Sequence, residues 1–196
     1  MIEWYRQTEW SDEIEAAFHA KLARARSQRD QYIVIQALTL ANSRPDVALR
    51  LVDYYFETRT DDFDDGRAEL ARSRALFASG GYVEALDSYL ETLKRDPETT
   101  GMAVSSPLMF VFLAARYRST THYQAALEFL PDLPEPSPKL PAVIFETHAA
   151  RAIILSETGA DPVRALQHAK AALEAPEPVL EALPDVVWRL RAITRT

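Results

Sequence analysis

Apolar residues along this chain recur at the spacing of α-helices. The clearest stretch is residues 71–97, ARSRALFASGGYVEALDSYLETLKRDP, where a first helix runs into Gly80 and Gly81 and a second begins at once. The second helix carries its apolar side chains on one face, at Tyr82, Ala85, Leu86, Tyr89 and Leu93. Two helices joined by so short a turn fold back on each other, so this stretch predicts an antiparallel helix hairpin.

The same signals divide the rest of the chain into helices. Four hairpins are predicted, at about 29–41 with 45–57, 65–79 with 82–95, 106–118 with 121–130, and 142–158 with 162–175. Single helices at about 12–25 and 184–193 flank them. The prolines between residues 131 and 141 make the one long break, which we predict to be extended or turn-rich. Because no stretch sustains the two-residue alternation of a strand, the chain is predicted to be all-α.

A repeat runs through these hairpins. A small residue lies near the start of each second helix, at separations of 37, 41 and 39 residues, at Ala48, Ala85, Ala126 and Ala165. This period is typical of solenoids built from helix pairs. We therefore predict an α–α superhelix of about four antiparallel helix hairpins plus terminal helices. We expect it to form a single domain, residues 1–196, with a capping segment at 1–28, the hairpins at 29–175 and a capping helix at 176–196.

Two of the hairpins resemble the tetratricopeptide repeat (TPR). The aromatic, leucine, small residue and tyrosine of that family's first helix are matched by Phe110, Leu113, Ala114 and Tyr117. The alanine, aromatic and proline of its second helix are matched by Ala85, Tyr89 and Pro97. The resemblance covers about residues 29–175 in degenerate form, and Gln36 and Thr39 stand where the family has a small residue and a tyrosine. It implies a right-handed, TPR-like solenoid; a different helix-hairpin solenoid is the alternative.

The resemblance also implies a binding mode. In the TPR family the first helices line a concave groove that holds a peptide or partner protein, so we expect a non-enzymatic interaction module or scaffold. The groove positions carried over are Arg67, Leu70, Arg74, Phe77 and Ala78 in one repeat and Leu108, Val111, Ala115, Arg118 and Ser119 in the next. Three arginines beside an apolar strip suit a peptide with a carboxylate end or acidic side chains. Arginine stems that merely cover packed helices are the alternative.

Composition narrows the partners and the compartment. The formal net charge of −7 disfavours binding to nucleic acid or to an anionic membrane. The longest apolar run, residues 108–115, is far shorter than the roughly 20 residues that span a bilayer. The first residues, MIEWY, lack the basic start and apolar core of a signal peptide. The absence of cysteine excludes disulfides and cysteine-ligated zinc, and we expect a cytoplasmic protein.

Few residues suggest chemistry. The four histidines show no metal-ligand spacing, although His148 and His168 fall on neighbouring predicted helices and are able to meet. Gly80 and Gly81 lack the lysine and hydroxyl residue of a phosphate-binding loop, so a helix C-cap explains them better. We therefore expect no enzyme activity, no catalytic residue, no metal and no cofactor.

An acidic cluster offers a second hypothesis. Its members are Asp61, Asp62, Asp64, Asp65 and Glu69. A solvated loop leading into a helix N-terminus is the simplest interpretation, since the helix dipole favours acids there. An EF-hand calcium loop is disfavoured because Phe63 and Arg72 occupy positions that need acidic ligands. The functional alternative is an acidic inhibitor or immunity-type protein that occludes a basic partner.

Large aromatic residues lie near both ends of the chain. Trp4, Tyr5 and Trp10 lie before the first predicted helix, and Trp188 lies on the last one. We predict that the first three hold the first helix onto the remaining helices, because large aromatics otherwise expose apolar area. A projecting hook that makes a homodimer is the alternative, and Trp188 poses the same choice.

Overall fold

The computed structural model describes residues 3–95, 106–133 and 139–195 of the chain. Eleven α-helices, two short 3-10 helices and no strand lie in these ranges, which confirms the all-α prediction. Contacts divide the chain into two compact units, Met1–Ser105 (unit 1) and Ser106–Thr196 (unit 2), where the sequence analysis predicts a single domain. The stacking of the hairpins into a superhelix stays a prediction. The helix stop at Pro97 and the prolines at 134, 136 and 138 lie outside the described residues.

The described residues of unit 1 form five helices, a leading helix followed by two hairpins. They are α1 (Asp12–Leu22), α2 (Arg29–Leu40), α3 (Pro45–Thr58), α4 (Asp65–Ser79) and α5 (Tyr82–Arg95). As predicted, α2 packs against α3 and α4 against α5, while α4 also contacts α2 and α3. The hydroxyl of Ser11 caps α1 by accepting a hydrogen bond from the Ile14 N–H. These packed faces form the apolar core of unit 1.

The turn between α4 and α5 is built on Gly80. Its φ of 84° lies in the left-handed region, which glycine adopts at little steric cost. The N–H groups of Gly80 and Gly81 donate to carbonyls in the last turn of α4, so the predicted helix C-cap is confirmed. Beyond the turn Ala85 is buried, and the hydroxyl of Ser73 on α4 donates to its carbonyl at 2.7 Å.

The three N-terminal aromatic residues pack on the core of unit 1. Trp10 is buried within this core, and Trp4 and Tyr5 lie against it. The ring centroid of Trp4 is 4.9 Å from that of Tyr32 and 5.5 Å from that of Phe18. The prediction that these residues hold the first helix in place is therefore confirmed, while dimerisation through them stays a prediction.

In the part of unit 2 that the structure describes there are six α-helices, several of which begin with proline. They are α6 (Pro107–Arg116), α7 (Tyr123–Phe129), α8 (Pro141–Thr158), α9 (Pro162–Leu173), α10 (Glu177–Ala182) and α11 (Pro184–Ile193), with 3-10 helices at Thr120–His122 and Leu130–Asp132. Proline suits the first helical position because its missing N–H needs no partner there. The short α10 is not predicted by the sequence analysis. None of the described helices in either unit is both long and apolar enough to cross a bilayer.

A buried arginine joins three helices of unit 2. Arg189 on α11 donates to the Ala115 carbonyl on α6 and to the Glu157 carboxylate on α8, both at 2.5 Å. The Tyr123 hydroxyl donates to the same carboxylate at 2.8 Å. Burial, together with this hydrogen bond, raises the pKa of Tyr123 to about 12. Among the described residues of this unit, the largest fully buried apolar side chains are Phe110, Phe145, Ile153, Ile154 and Leu190.

Candidate functional site

A small hollow in unit 1 brings the predicted residue Arg67 together with residues that the sequence analysis does not select. Its volume is about 240 Å³, and it is lined by Arg6, Ile35, Leu38, Thr39 and Arg67. The spacing of Ile35, Leu38 and Thr39 places all three on one face of α2. The Thr39 hydroxyl donates to the Ile35 carbonyl at 2.8 Å, so the α2 wall of this unit 1 hollow is mainly apolar.

The N-terminal segment reaches the unit 1 hollow because a buried amide holds it there. The side-chain N–H of Gln36 on α2 donates to the Gln7 carbonyl at 2.7 Å, and its oxygen accepts from the Gln7 N–H at 2.9 Å. This Gln7–Gln36 clamp fixes the residue that follows Arg6. Gln36 is fully buried, so its amide is committed to docking the N-terminal segment.

Each arginine of the unit 1 hollow contacts an acid. Arg67 Nη1 lies 3.2 Å from Asp64 Oδ1, and Arg6 Nε lies 2.8 Å from Glu3 Oε2. Burial raises the pKa of the Asp64 carboxyl, and the Arg67 guanidinium opposes that shift. A guanidinium has five N–H donors in a planar fork, so each arginine is able to hold its own acid and a second carboxylate together.

The other predicted residues of α4 differ in exposure. Leu70 is 2% exposed and belongs to the interior of unit 1. Arg74 is exposed and has no ion pair among the described residues. Phe77 is half-buried, with its ring 6.2 Å from that of Tyr82. Arg74 therefore joins Arg67 as an accessible cation on α4, whereas Leu70 presents no surface to a ligand.

The remaining predicted residues belong to unit 2. Val111 on α6 is 0% exposed and packs in the core, so it likewise presents no surface to a ligand. Leu108 is half-buried at the start of α6. Arg118 is exposed after the end of α6, has a φ of 54°, and lies 3.8 Å from the Glu157 carboxylate. None of these three residues is among the lining residues of the unit 1 hollow.

The acidic cluster is divided between the surface and the interior. Asp61 and Asp62 are exposed, as predicted, whereas Asp64, Asp65 and Glu69 are buried. The prediction of a solvated loop is therefore wrong for the last three residues. Asp64 occupies the N-cap position of α4, but its side chain makes no capping hydrogen bond and contacts an arginine instead. The acidic surface available to a basic partner within this cluster is limited to Asp61 and Asp62.

The partners of Asp65 explain its burial. It accepts a hydrogen bond from the Tyr55 hydroxyl at 2.9 Å, and it pairs with Arg59 Nε at 3.0 Å and with Arg95 Nη1 at 2.5 Å. These partners lie on α3, just after α3 and at the end of α5. A carboxylate with three such donors is stable in an interior that would otherwise exclude it, so the Asp65 network is structural.

His148 on α8 and His168 on α9 meet, as the sequence analysis anticipates. Their Nδ1 atoms are 3.0 Å apart, and their ring centroids are separated by 5.2 Å. This is the distance of an N–H···N hydrogen bond, in which one ring donates and the other accepts. Within residues 3–95, 106–133 and 139–195, no group of three or more histidine, aspartate or glutamate side chains is placed to hold a metal ion.

The chain was compared with protein-family models, with curated proteins and with solved structures. No family model, no curated protein and no solved structure matches the chain.

Proposed function

We propose that the chain is a non-enzymatic interaction module of TPR-like helical repeats that binds an acidic segment of a peptide or partner protein through unit 1. The observation that carries this proposal is the unit 1 hollow, where Arg6 and Arg67 flank the apolar wall of α2. A guanidinium binds a carboxylate through two parallel hydrogen bonds. The apolar wall beside it favours a neighbouring hydrophobic side chain of the ligand.

The volume of the unit 1 hollow limits what enters it. About 240 Å³ is below the roughly 300–1,000 Å³ that is usual for pockets that enclose small molecules. A pocket of this size suits one or two side chains. We infer that a carboxylate and the apolar side chain next to it occupy the hollow, while the rest of the ligand lies on the surface of unit 1.

Arg74 supplies a second contact for the same ligand. It follows Arg67 by seven residues, which places it about 10 Å further along α4. An extended peptide covers that distance with about three residues at ~3.3 Å each. The ligand that we propose therefore carries two acidic groups about three residues apart, with an apolar residue beside the first.

The lack of cysteine suits a reducing compartment, and we propose that the module is cytoplasmic.

Fluorescence anisotropy with a series of labelled peptides tests this proposal on the full chain. Each peptide carries two glutamates at a varied spacing and a leucine beside the first. We expect the tightest binding at a spacing of about three residues. Arg67→Gln and Arg74→Gln should each weaken that binding about tenfold, because each removes a charge-assisted contact.

Arg50→Gln is the matched control, since Arg50 is an exposed arginine of α3 that does not line the hollow. It should leave the affinity unchanged. Circular dichroism checks that every variant is folded. Equal affinity of the wild type and the Arg67→Gln/Arg74→Gln double variant would contradict the proposed site.

A further inference from the structure

A second hollow lies in unit 2, between α7 and the α8–α9 hairpin. Its volume is about 360 Å³, and its lining combines an apolar part with two arginines: Leu127, Leu130, Pro131, Leu155, Arg151 and Arg164. The apolar residues come from α7, from the 3-10 helix that follows it, and from α8. Three elements therefore build the apolar wall of this unit 2 hollow, and none of its residues belongs to the proposed peptide site.

Arg151 is the buried cation of the unit 2 hollow. Its side chain is nearly inaccessible, and its Nη2 donates to the Leu133 carbonyl at 3.0 Å. Leu155 lies one helical turn further along α8, on the same face as Arg151. The hydrogen bond to Leu133 holds one end of the guanidinium at the hollow, and the positive charge of this side chain favours an anion there.

Arg164 is the accessible cation of the unit 2 hollow. It lies in the first turn of α9, where the Asp161 carboxylate accepts a hydrogen bond from its backbone N–H at 2.9 Å. The helix start is therefore fixed, while the Arg164 side chain is exposed. Among the described residues Arg164 has no ion pair. An anion that enters the hollow meets this guanidinium without first displacing a carboxylate from it.

We propose that the unit 2 hollow binds a small amphipathic anion, with its carboxylate or phosphate head on Arg151 and Arg164 and its apolar body against the leucines. Arginine suits both heads because its donor fork matches the paired oxygens of each. A volume of about 360 Å³ corresponds to roughly a dozen water-sized groups at ~30 Å³ each. A straight-chain acid of medium length, such as octanoate, fits that volume.

Isothermal titration calorimetry on the full chain tests the proposal with octanoate, octyl phosphate, octanol and inorganic phosphate as probes. We expect octanoate or octyl phosphate to bind at least tenfold more tightly than octanol, because the head contacts arginine, and more tightly than inorganic phosphate, because the apolar body is buried. The relative affinity of the two octyl anions shows which head the hollow prefers. The proposal would be overturned if octanol bound as tightly as both anions, or if neither anion bound.

Two variants assign the binding to this hollow. Arg164→Gln should weaken the binding of the preferred octyl anion about tenfold and leave octanol unchanged. Arg191→Gln, which removes an exposed arginine of α11 outside the lining, should change neither. Leu127→Glu places a like charge beside the anion and should also weaken its binding. Unchanged anion affinity in a folded Arg164→Gln and a folded Leu127→Glu would overturn the assignment.

Discussion

Replacing Asp65 with alanine should destabilise unit 1 by about 3 kcal/mol. The substitution removes the acceptor of the Tyr55 hydroxyl, which lies in a fully buried side chain, and a buried donor left without a partner costs about 1–3 kcal/mol. It also removes two ion pairs. The side chains of Arg59 and Arg95 are 33% and 43% exposed, so water replaces much of the lost interaction and each pair contributes about 0.5–1 kcal/mol.

Asparagine separates these contributions. Asp65→Asn keeps the side-chain volume and an oxygen that accepts from the Tyr55 hydroxyl, but it loses the negative charge. We therefore expect it to cost about 1–2 kcal/mol, less than alanine. Asp62→Ala is the matched control, because Asp62 is exposed in the loop just before α4 and a surface change of this kind shifts stability by less than about 0.5 kcal/mol.

Urea unfolding followed by tryptophan fluorescence measures these differences. Trp4 and Trp10 belong to unit 1, whereas Trp188 is 68% exposed in unit 2. A Trp188→Phe background therefore makes the fluorescence report unit 1 alone. Equal unfolding midpoints for Asp65→Ala and Asp62→Ala would refute the reasoning. If Asp65→Ala does not fold, the urea midpoint of Asp65→Asn must still be lower than that of Asp62→Ala.

Gln36→Ala removes the Gln7–Gln36 clamp and should cost about 2 kcal/mol, with earlier proteolysis of the N-terminal segment in a limited-digestion assay. Burial raises the pKa of the Glu146 carboxyl, so its charged form is disfavoured in the folded state at neutral pH but the penalty disappears below the ordinary glutamate pKa. Glu146→Gln should therefore raise the urea midpoint of unit 2 at neutral pH and have less effect in acid. The His148–His168 contact predicts one ring protonated at Nδ1 and one unprotonated there at neutral pH, and ¹⁵N NMR showing two protonated Nδ1 atoms would contradict it.

Local signals in the sequence predict most of the helices. Gly80 marked a helix end because its left-handed backbone is a local property, and the prolines at the starts of α8 and α9 act through their own missing N–H groups. The sequence does not signal the short α10, because its segment, EPVLEA, lies among prolines and resembles a loop. A helix is therefore predictable from the sequence wherever the residues that start or end it lie within one turn of its ends.

The candidate site was less predictable because its parts are brought together by tertiary contacts. The TPR resemblance points to Arg67, but it points equally to Leu70 and Val111, which are buried. Arg6 reaches the hollow only because the segment that carries it docks on Gln36, far along the chain. The periodic spacing of Ile35, Leu38 and Thr39 was visible in the sequence, but nothing local indicates that an arginine lies opposite.

The clamp also makes the unit 1 hollow observable without any label. The Gln7 N–H donates to Gln36 in this clamp. The rate at which this amide exchanges its hydrogen for solvent deuterium therefore reports how often the N-terminal segment leaves α2. A ligand that bridges Arg6 and Arg67 must slow that exchange, because it ties the segment to α4. A ligand held by Arg67 alone leaves the exchange rate unchanged. The exchange of this one backbone amide therefore distinguishes binding by both arginines from binding by Arg67 alone.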